Sequence, residues 1–445
     1  MVQKRRDFLS SLLLWSLYQV WEGSQKALAQ DLLAQVQSPF DSSRRFFVYI
    51  FIPDGLDCTL GLDPQVLPVG ADEKDMFIEY QSDAIRKFGE IPLAPAAFHL
   101  GGFYREMAVV NGLFVSSTNN DHPSAQSYLK RGDLSGDLGV MSMTVERLFA
   151  EMNPFGVIAS HPTLNANDLQ LKSPITIGDS VFSGVLATRA TVLENSIKES
   201  DLAYLNSLYK FLSSEVRLNS FNHWLKIMKS SQAKQLDSAM PDEIPEKRAI
   251  IVAASAFLAG VAQSAFVEII SGGIDSHSNH PGNHWQAQEK MWKTVATIFS
   301  FFKSIPFGSD GQSLFDRTLF LVATEFSRTP FLNSAQGKDH NPFTNSILLA
   351  GYGIRGNQVV GRSRLITRRQ TANGEARHVA TLINFETGQV AKNRTEAQGD
   401  HYQLILPENI LVTVLKALRL PDESVINKWG HPALRRPISK ILKPT

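Results

Sequence analysis

The feature that most constrains the fold of this 445-residue chain is the apolar run within Arg45–Ile52 (RFFVYIFI), which Pro53-Asp54-Gly55 ends. Such an unbroken run is typical of a β-strand that is buried on both faces. Arg317–Thr324 (RTLFLVAT) has the same character in the second half of the chain. Strands of this kind belong to a mostly parallel sheet that helices cover on both sides. The pattern therefore predicts an α/β protein with a three-layer α/β/α sandwich.

Weaker patterns predict the remaining elements and one large domain at residues 44–430, with a C-terminal tail at residues 431–445. The strands predicted in this way are Met107–Val110, Gly156–Ser160, Phe266–Ile270 and Ser346–Gly351. The predicted helices are Val145–Met152, Arg248–Ala265, Trp285–Lys303 and Glu408–Leu418. Residues 196–240 are charged and have apolar residues at spacings of three and four, which indicates a helical insertion or cap beside the sheet.

The N-terminus carries the pattern of an export signal. Lys4-Arg5-Arg6-Asp7 precedes an apolar stretch and then Ala27-Leu28-Ala29, a cleavage pattern. Residues 1–29 are expected to be a twin-arginine signal peptide and residues 30–43 a linker, so the export machinery is an expected partner and the periplasm or exterior the expected location. The alternative is an amphipathic helix or an uncleaved anchor, although the apolar stretch is short for a membrane span.

Charge and cysteine content narrow the class of protein. The chain has 44 Lys and Arg against 43 Asp and Glu, which gives no basic excess for nucleic acid. No further stretch reaches the length of a transmembrane helix. Cys58 is the only cysteine, so an internal disulfide is impossible and stability must come from the core.

The stretch Ser271–His284 (SGGIDSHSNHPGNH) lies between a predicted strand and a predicted helix, and it holds three of the eleven histidines. Imidazoles beside the carboxylate of Asp275 are ligands that a divalent transition metal prefers. The alternative is a polar surface loop with incidental histidines. We expect a functional site here, because so many donors cluster at the carboxyl end of a strand.

Further polar residues occupy the same position, the loop that follows a buried strand. Parallel strands bring such loops to one edge of the sheet, where residues distant in sequence converge. Taken singly, each is as well explained as a loop-capping aspartate or a hydrogen-bonded histidine. Taken together they predict a site for a divalent metal ion such as zinc, manganese or calcium, with these ligands: Asp54, Asp275, His277, Asp339 and His340.

Three residues are candidates for catalysis. Glu325 suits a general base or a further ligand, and Arg328 offers a planar fork for a phosphate, sulfate or carboxylate. These two could equally form an ion pair with each other. His122, at a predicted helix N-terminus, could be a ligand, a proton donor or a neighbour of the helix cap.

No hydroxyl nucleophile stands out among the serines and threonines near the predicted edge, which are Thr59, Ser116, Ser117, Thr118 and Ser124. The chain also lacks a nucleophile elbow, a phosphate-binding loop, a dinucleotide fingerprint and an H-E-x-x-H helix.

Several short motifs occur in a recognisable order. After the twin-arginine leader come F-x-x-D-G-x-D at Phe51–Asp57, His122 with Ala125-Gln126, G-G-x-D-[ST]-H at Gly272–His277, [ST]-E-F-x-R-T at Thr324–Thr329, and Asp339-His340. This order resembles the exported bacterial proteins of domain of unknown function family 1501. These are sulfatase-like members of the alkaline-phosphatase-like superfamily, and the resemblance spans roughly residues 44 to 360.

The resemblance implies a phosphatase or sulfatase type of core, in which metals at the carboxyl edge bind a phosphate or sulfate ester. Asp54 matches the first-strand ligand of the superfamily, Asp275 and His277 match its middle pair, and His340 matches its late histidine. There are three departures. Glu325-Phe326 replaces an Asp-His pair, His122-Pro123-Ser124 stands where the nucleophile usually begins a helix, and Cys58–Leu62 does not fit the C-x-P-x-R motif of sulfatases.

Two functions follow as expectations. The first is a metal-dependent hydrolase of sulfate or phosphate esters on a small molecule or a glycan. The second is a non-catalytic periplasmic binding or assembly protein, which keeps the fold without a functional nucleophile.

Overall fold

The computed structural model describes residues 43–118, 120–134, 140–149, 156–160, 175–176, 231–308, 310–398 and 401–444. Among these residues, eight strands form the central sheet. They are β1 (Phe46–Phe51), β2 (Met107–Asn111), β3 (Gly156–Ala159), β4 (Ile175–Thr176), β5 (Ala262–Glu268), β6 (Thr318–Ala323), β7 (Ser346–Gly351) and β8 (Gln358–Val360). Their spatial order is β8-β2-β7-β6-β1-β5-β3-β4. Strand β7 is antiparallel to both of its neighbours, and the other pairs are parallel.

Strand β1 shows why the protein has three layers. All six of its residues are buried. Phe46, Val48 and Ile50 point into one hydrophobic core, whereas the alternate residues of the strand point into the other. Because successive side chains of a strand face opposite sides, an entirely apolar strand needs cover on both faces. The predicted α/β/α sandwich is therefore confirmed.

Helices supply that cover. The helices of the described residues are α1 (His122–Arg131), α2 (Met141–Leu148), α3 (Ser231–Ala239), α4 (Lys247–Ala259), α5 (His280–Ser304), α6 (Leu314–Arg317), α7 (Arg394–Ala397), α8 (Pro407–Ala417) and α9 (Glu423–Ile426). Helices α3, α4 and α5 contribute to the core on one face, and α1, α2 and α8 contribute to the core on the other.

Shorter elements decorate the sandwich. Two-stranded ladders join Arg86–Phe88 with Ile91–Leu93, Ser327–Arg328 with His340–Asn341, Ser363–Ile366 with Arg377–Ala380, and Ile383–Asn384 with Tyr402–Gln403. The 3₁₀-helices are Cys58–Leu60, Ser82–Ala84, Pro95–Phe103, Arg368–Gln370, Pro432–Arg435 and Ser439–Ile441. The segment 431–445, expected to be a tail, packs on the domain as far as it is described, since Ile438 and Ile441 are buried in the second core.

Several predicted boundaries shift. The helix predicted at Arg248–Ala265 ends at Ala259, because Gly260 adopts a left-handed conformation (φ 68°) that terminates it, and β5 begins two residues later. The helix predicted at Val145–Met152 is Met141–Leu148. Residues 1–42, with the predicted signal and most of the linker, lie outside the described residues, as does all of the 196–240 segment before Ser231.

The sheet topology gathers several loops at one edge. The carboxyl ends of β1, β5 and β6 lie side by side, because these strands are adjacent and parallel. Strand β7 runs the other way, so its amino end lies at the same edge. The loops after β1, β5 and β6, and the segment leading into β7, therefore meet there. No helix in the described part of the chain is long and apolar enough to span a membrane.

Candidate metal centre

Four side chains from three separate regions converge at this edge. His122 is the first residue of α1, Asp275 and His277 follow β5, and His340 precedes β7. One ligand atom from each lies within 4.8 Å of the others. From Asp275 Oδ1, the Nε2 atoms of His277, His122 and His340 are 3.2, 3.6 and 3.7 Å away. We call these four residues, which together could hold a metal ion, the metal-binding cluster.

Hydrogen bonds fix the tautomers of His277 and His340. The Nδ1 atom of His277 lies 2.7 Å from Asp339 Oδ1, and Nδ1 of His340 is hydrogen bonded to the carbonyl oxygen of Asn120. Because both partners only accept, each Nδ1 carries the hydrogen and each Nε2 presents a lone pair. The two Nε2 atoms are 2.9 Å apart. Two lone pairs at that distance repel each other unless a metal ion or a proton lies between them.

His122 is oriented in the same way. Its Nδ1 donates to Glu325 Oε1 at 2.7 Å, and Gln126 Nε2 approaches the same oxygen at 3.3 Å. Its Nε2 is buried and has no hydrogen-bond partner. The bond to Glu325 raises the pKa of His122, so that positive charge at Nε2 is favoured. A metal ion would satisfy this otherwise unpaired atom.

The donor set fits a divalent transition metal. Four ligands at tetrahedral zinc, with bonds of 2.0–2.1 Å, are about 3.3–3.4 Å apart. The four separations given above, from 2.9 to 3.7 Å, bracket this value, and all of the ligand atoms lie within 4.8 Å of one another. Three imidazole nitrogens and one carboxylate oxygen suit zinc or manganese, whereas calcium prefers an all-oxygen shell. Of the three metals that the sequence suggested, calcium fits this cluster least well.

Asp54 belongs to a second, overlapping group with His122 and Glu325, and not to the metal-binding cluster. It adopts a left-handed conformation (φ 78°), in which its backbone N–H donates to Glu325 Oε1 at 2.7 Å. Burial raises the pKa of Asp54, and the nearby charge of Glu325 raises it further. A second cation beside His122 would relieve this repulsion between carboxylates.

Asp339, which was predicted as a ligand, lies outside both groups. Its carboxylate accepts from His277 Nδ1 instead. A carboxylate in that position orients a metal-binding imidazole and makes it more basic. Asp339 would therefore act on a bound metal through His277.

Arg328, which was predicted to bind an anion, is bonded to protein groups in this structure. The side chain is fully buried, and it does not pair with Glu325 in any described contact. Its guanidinium donates to the backbone carbonyls of Asp54, Gly55 and Lys338, and to Asp275 Oδ1 at 2.8 Å. These bonds use the guanidinium N–H groups that would otherwise bind a substrate anion. Burial raises the pKa of Asp275, but the hydrogen bond and charge of Arg328, together with the nearby His277 and His122, outweigh burial and the net shift is downward.

The other two histidines of the predicted loop do not reach the metal-binding cluster. His280 and His284 belong to the start of α5, which is kinked at Pro281-Gly282, and both are fully buried. They face Asp57, which forms a buried ion pair with Lys338 at 2.6 Å. Sequence reasoning missed Asp57 and Lys338. Their positions beside predicted site residues could have indicated them. Asp57 ends the motif that contains Asp54, and Lys338 directly precedes Asp339.

Two side chains beside Asp57 are poor nucleophiles. The hydroxyl of Thr59 is buried and donates to Asp57 Oδ1 at 2.7 Å. The thiol of Cys58 is buried too, and burial raises its pKa to about 12. At neutral pH the thiol is therefore not ionised, so neither residue fills the role that the sequence left open.

Comparison with known proteins gives a family and a set of distant structures. Residues 188–387 match the model of a family described as "Protein of unknown function (DUF1501)". No curated protein matches the chain. The PsFucS1 sulfatase from Pseudoalteromonas sp. is 8% identical, with 90% of this chain and 72% of that chain covered and a TM-score of 0.35.

Two further solved structures are similar at the same level. Ps i-CgsB, in complex with k-i-k-neocarrahexaose, is 8% identical over 89% of this chain and 77% of that chain, with a TM-score of 0.35. The phosphonate monoester hydrolase SpPMH from Silicibacter pomeroyi is 7% identical over 85% of this chain and 74% of that chain, with a TM-score of 0.26. Likenesses this weak assign neither an activity nor a substrate. The family whose model matches residues 188–387 is the one that the order of the sequence motifs resembles.

Proposed function

We propose that this protein is an exported, metal-dependent hydrolase of sulfate or phosphate esters. One observation carries the proposal: three imidazoles, each tied at Nδ1 to an acceptor, direct their Nε2 atoms at one another and at Asp275 Oδ1. Ligating histidines in proteins show this arrangement of outer-shell acceptors. The sequence motifs imply the ester class through their resemblance to sulfatase-like proteins.

A divalent cation bound there supplies a Lewis acid for an ester oxygen and lowers the pKa of water. The protein's own contribution is orientation. Asp339, Glu325 and the Asn120 carbonyl hold the three rings, and Arg328 holds Asp275.

Access to the site is compatible with a large substrate. The side chains of Asp275 and His277 are 42% and 46% exposed, whereas Glu325 behind them is fully buried. An ester on a glycan could therefore reach the metal-binding cluster from solvent.

Export is part of the proposal and is supported by the N-terminal sequence. Arg5-Arg6, the apolar stretch and Ala27-Leu28-Ala29 form a twin-arginine pattern. Detection of the mature protein in the periplasm, with loss of export when both arginines become lysine, would test this part. Cytoplasmic retention of the unaltered chain would contradict it.

The catalytic part is tested on the exported, folded protein. Elemental analysis should find bound zinc or manganese, and arylsulfates and arylphosphates should be screened for turnover. Asp275→Asn and His277→Ala should each abolish metal binding and turnover while preserving the circular dichroism spectrum. His99→Ala is the control, because His99 pairs with Glu289, outside the cluster, at 3.5 Å; its metal content and activity should be unchanged.

The second candidate function is a non-catalytic binding or assembly protein. The structure favours it in one respect, since the guanidinium of Arg328 is already bonded to protein groups. Bound metal without turnover on any ester tested would support this candidate over the hydrolase. Absence of metal from the folded protein, together with no effect of a chelator on its stability, would reject the metal site itself.

A further inference from the structure

A buried polar network lies directly beneath the metal-binding cluster. Ser276 stands between Asp275 and His277 in the chain, but its side chain points inward and the residue is 3% exposed. Its hydroxyl oxygen lies 2.7 Å from His280 Nδ1 and 3.0 Å from His284 Nδ1. The loop thus presents two candidate ligands outward and one hydroxyl inward.

Backbone groups assign one set of hydrogen-bond directions in this network. Nδ1 of His284 faces the carbonyl oxygen of Ile274 at 2.9 Å, and its Nε2 lies 3.1 Å from the backbone nitrogen of Asp57 and 2.9 Å from Gln288 Oε1. With its hydrogen on Nδ1, His284 donates to Ile274 and accepts from the Asp57 N–H, and the Ser276 hydroxyl is free to donate to Nδ1 of His280. Burial lowers the pKa of His280 to about 4 and that of His284 to about 3, so both rings are neutral near pH 7.

Lys338 connects this network to the opposite side of the cluster. Its backbone N–H donates to the carbonyl oxygen of Ser276 at 2.9 Å, and its ammonium donates to Asp57 Oδ2 at 2.6 Å. Its own carbonyl accepts from Arg328, which holds Asp275. Asp339 and His340 follow it in the chain. A single buried lysine thus links segments that carry Asp275, His277 and His340.

We propose that Ser276 is a positioning residue of the metal centre. Together with the backbone of Lys338, which donates to its carbonyl oxygen, it sets the spacing between residues 275–277 and 338–340, at which the ligand atoms converge. Ser276 is not one of the residues that could hold the ion. The inference deepens the proposed function and depends on its metal site.

The test compares zinc affinity in two serine variants of the full protein, by competition with a chromophoric chelator. Ser276→Ala removes the hydroxyl that binds both imidazoles, and the zinc affinity should fall by about 10- to 100-fold, as for other outer-shell substitutions. Ser142→Ala is the matched control. Ser142 is equally buried, and its hydroxyl donates to the Ala265 carbonyl at 3.0 Å away from the cluster. The control should lose comparable thermal stability and keep its zinc affinity.

The outcomes separate this inference from the proposed function. If the unaltered protein binds zinc and Ser276→Ala binds it equally well, the positioning role is rejected and the metal site stands. If the unaltered protein binds neither zinc nor manganese, both the positioning role and the proposed metal site are rejected. Should Ser276→Ala not fold, Ser276→Gly removes the same hydroxyl and adds no metal-binding group. Its zinc affinity should be clearly lower than that of the unaltered protein, and an unchanged affinity would reject the positioning role.

Discussion

At the scale of single residues, the chemistry of the site depends on which nitrogen of each histidine carries a hydrogen. His277 and His340 both donate from Nδ1, to Asp339 and to the Asn120 carbonyl, and so both present Nε2 to the same point. His280 has the opposite arrangement, because its Nδ1 accepts from Ser276. Histidines close together in sequence thus have different roles, and the hydrogen-bond partner of each ring decides which.

Asp339 gives a prediction at this scale. Asp339→Ala removes the acceptor of His277 Nδ1, so the ring loses its orientation and its preferred tautomer. Zinc affinity should fall by about 10- to 100-fold in chelator competition. Asp339→Asn keeps an acceptor oxygen without the charge, so its zinc affinity should lie between those of Asp339→Ala and the unaltered protein. Equal affinities in all three proteins would show that Asp339 has no influence on the metal site.

At the scale of elements, the direction of β7 determines how the site is assembled. Because β7 is antiparallel to β6, the residues that precede it, including His340, return to the edge where β5 and β6 end. The ladder between Ser327–Arg328 and His340–Asn341 then holds this segment beside the loop after β6. Close packing against the loop after β5 completes the arrangement.

Gly337 tests that packing. A Cβ atom at this position would lie 1.9 Å from the backbone carbon and oxygen of His277, so one of the two segments must move. Gly337→Ala should lower zinc affinity at least about 10-fold, by displacing His277 relative to His340. Gly272→Ala is the control, because nothing lies within 4 Å of its Cβ position. Unchanged affinity in Gly337→Ala would mean that the loops adjust without moving the ligands.

At the scale of the whole molecule, the buried histidines couple stability to pH. His280, His284 and His378 are fully or almost fully buried, and burial lowers their pKa values to about 4, 3 and 4. As the pH falls, the same histidines in the unfolded chain, whose pKa values are near 6.5, are protonated before those in the folded protein. Their contribution to stability is therefore complete above about pH 6.5 and is lost as the pH falls toward 4. Asp63 has the opposite effect on stability. Burial raises its pKa to about 6, so the folded protein binds this proton before the unfolded chain does as the pH falls.

His378 isolates the effect, because it lies outside the metal-binding cluster and its Nε2 has no hydrogen-bond partner. His378→Leu removes one titrating group and leaves the others in place. Between pH 6.5 and 4, the free energy of unfolding in urea should depend on pH less steeply than in the unaltered protein. The difference should be at most about 1.4 kcal/mol per pH unit. Parallel pH profiles for the two proteins would contradict the assignment.

The sequence by itself determined the layered fold and the kind of atoms at the site. Buried strands such as β1 and β7 show continuous apolar runs, and the order of the loops after them placed acidic and imidazole side chains at one edge. The order of short motifs predicted the family whose model matches residues 188–387. These properties depend on local composition and on spacing, both of which are present in the sequence.

Only the tertiary structure decided which donors meet. His277 and His284 are seven residues apart in one stretch, yet one reaches the metal-binding cluster and the other is buried against Asp57. Arg328 and Asp339 were expected to touch substrate and metal, and both instead hold neighbouring ligands. The physical reason is that side-chain direction and burial depend on the packing of distant segments. Those contacts fix each tautomer and each ion pair after the chain has folded.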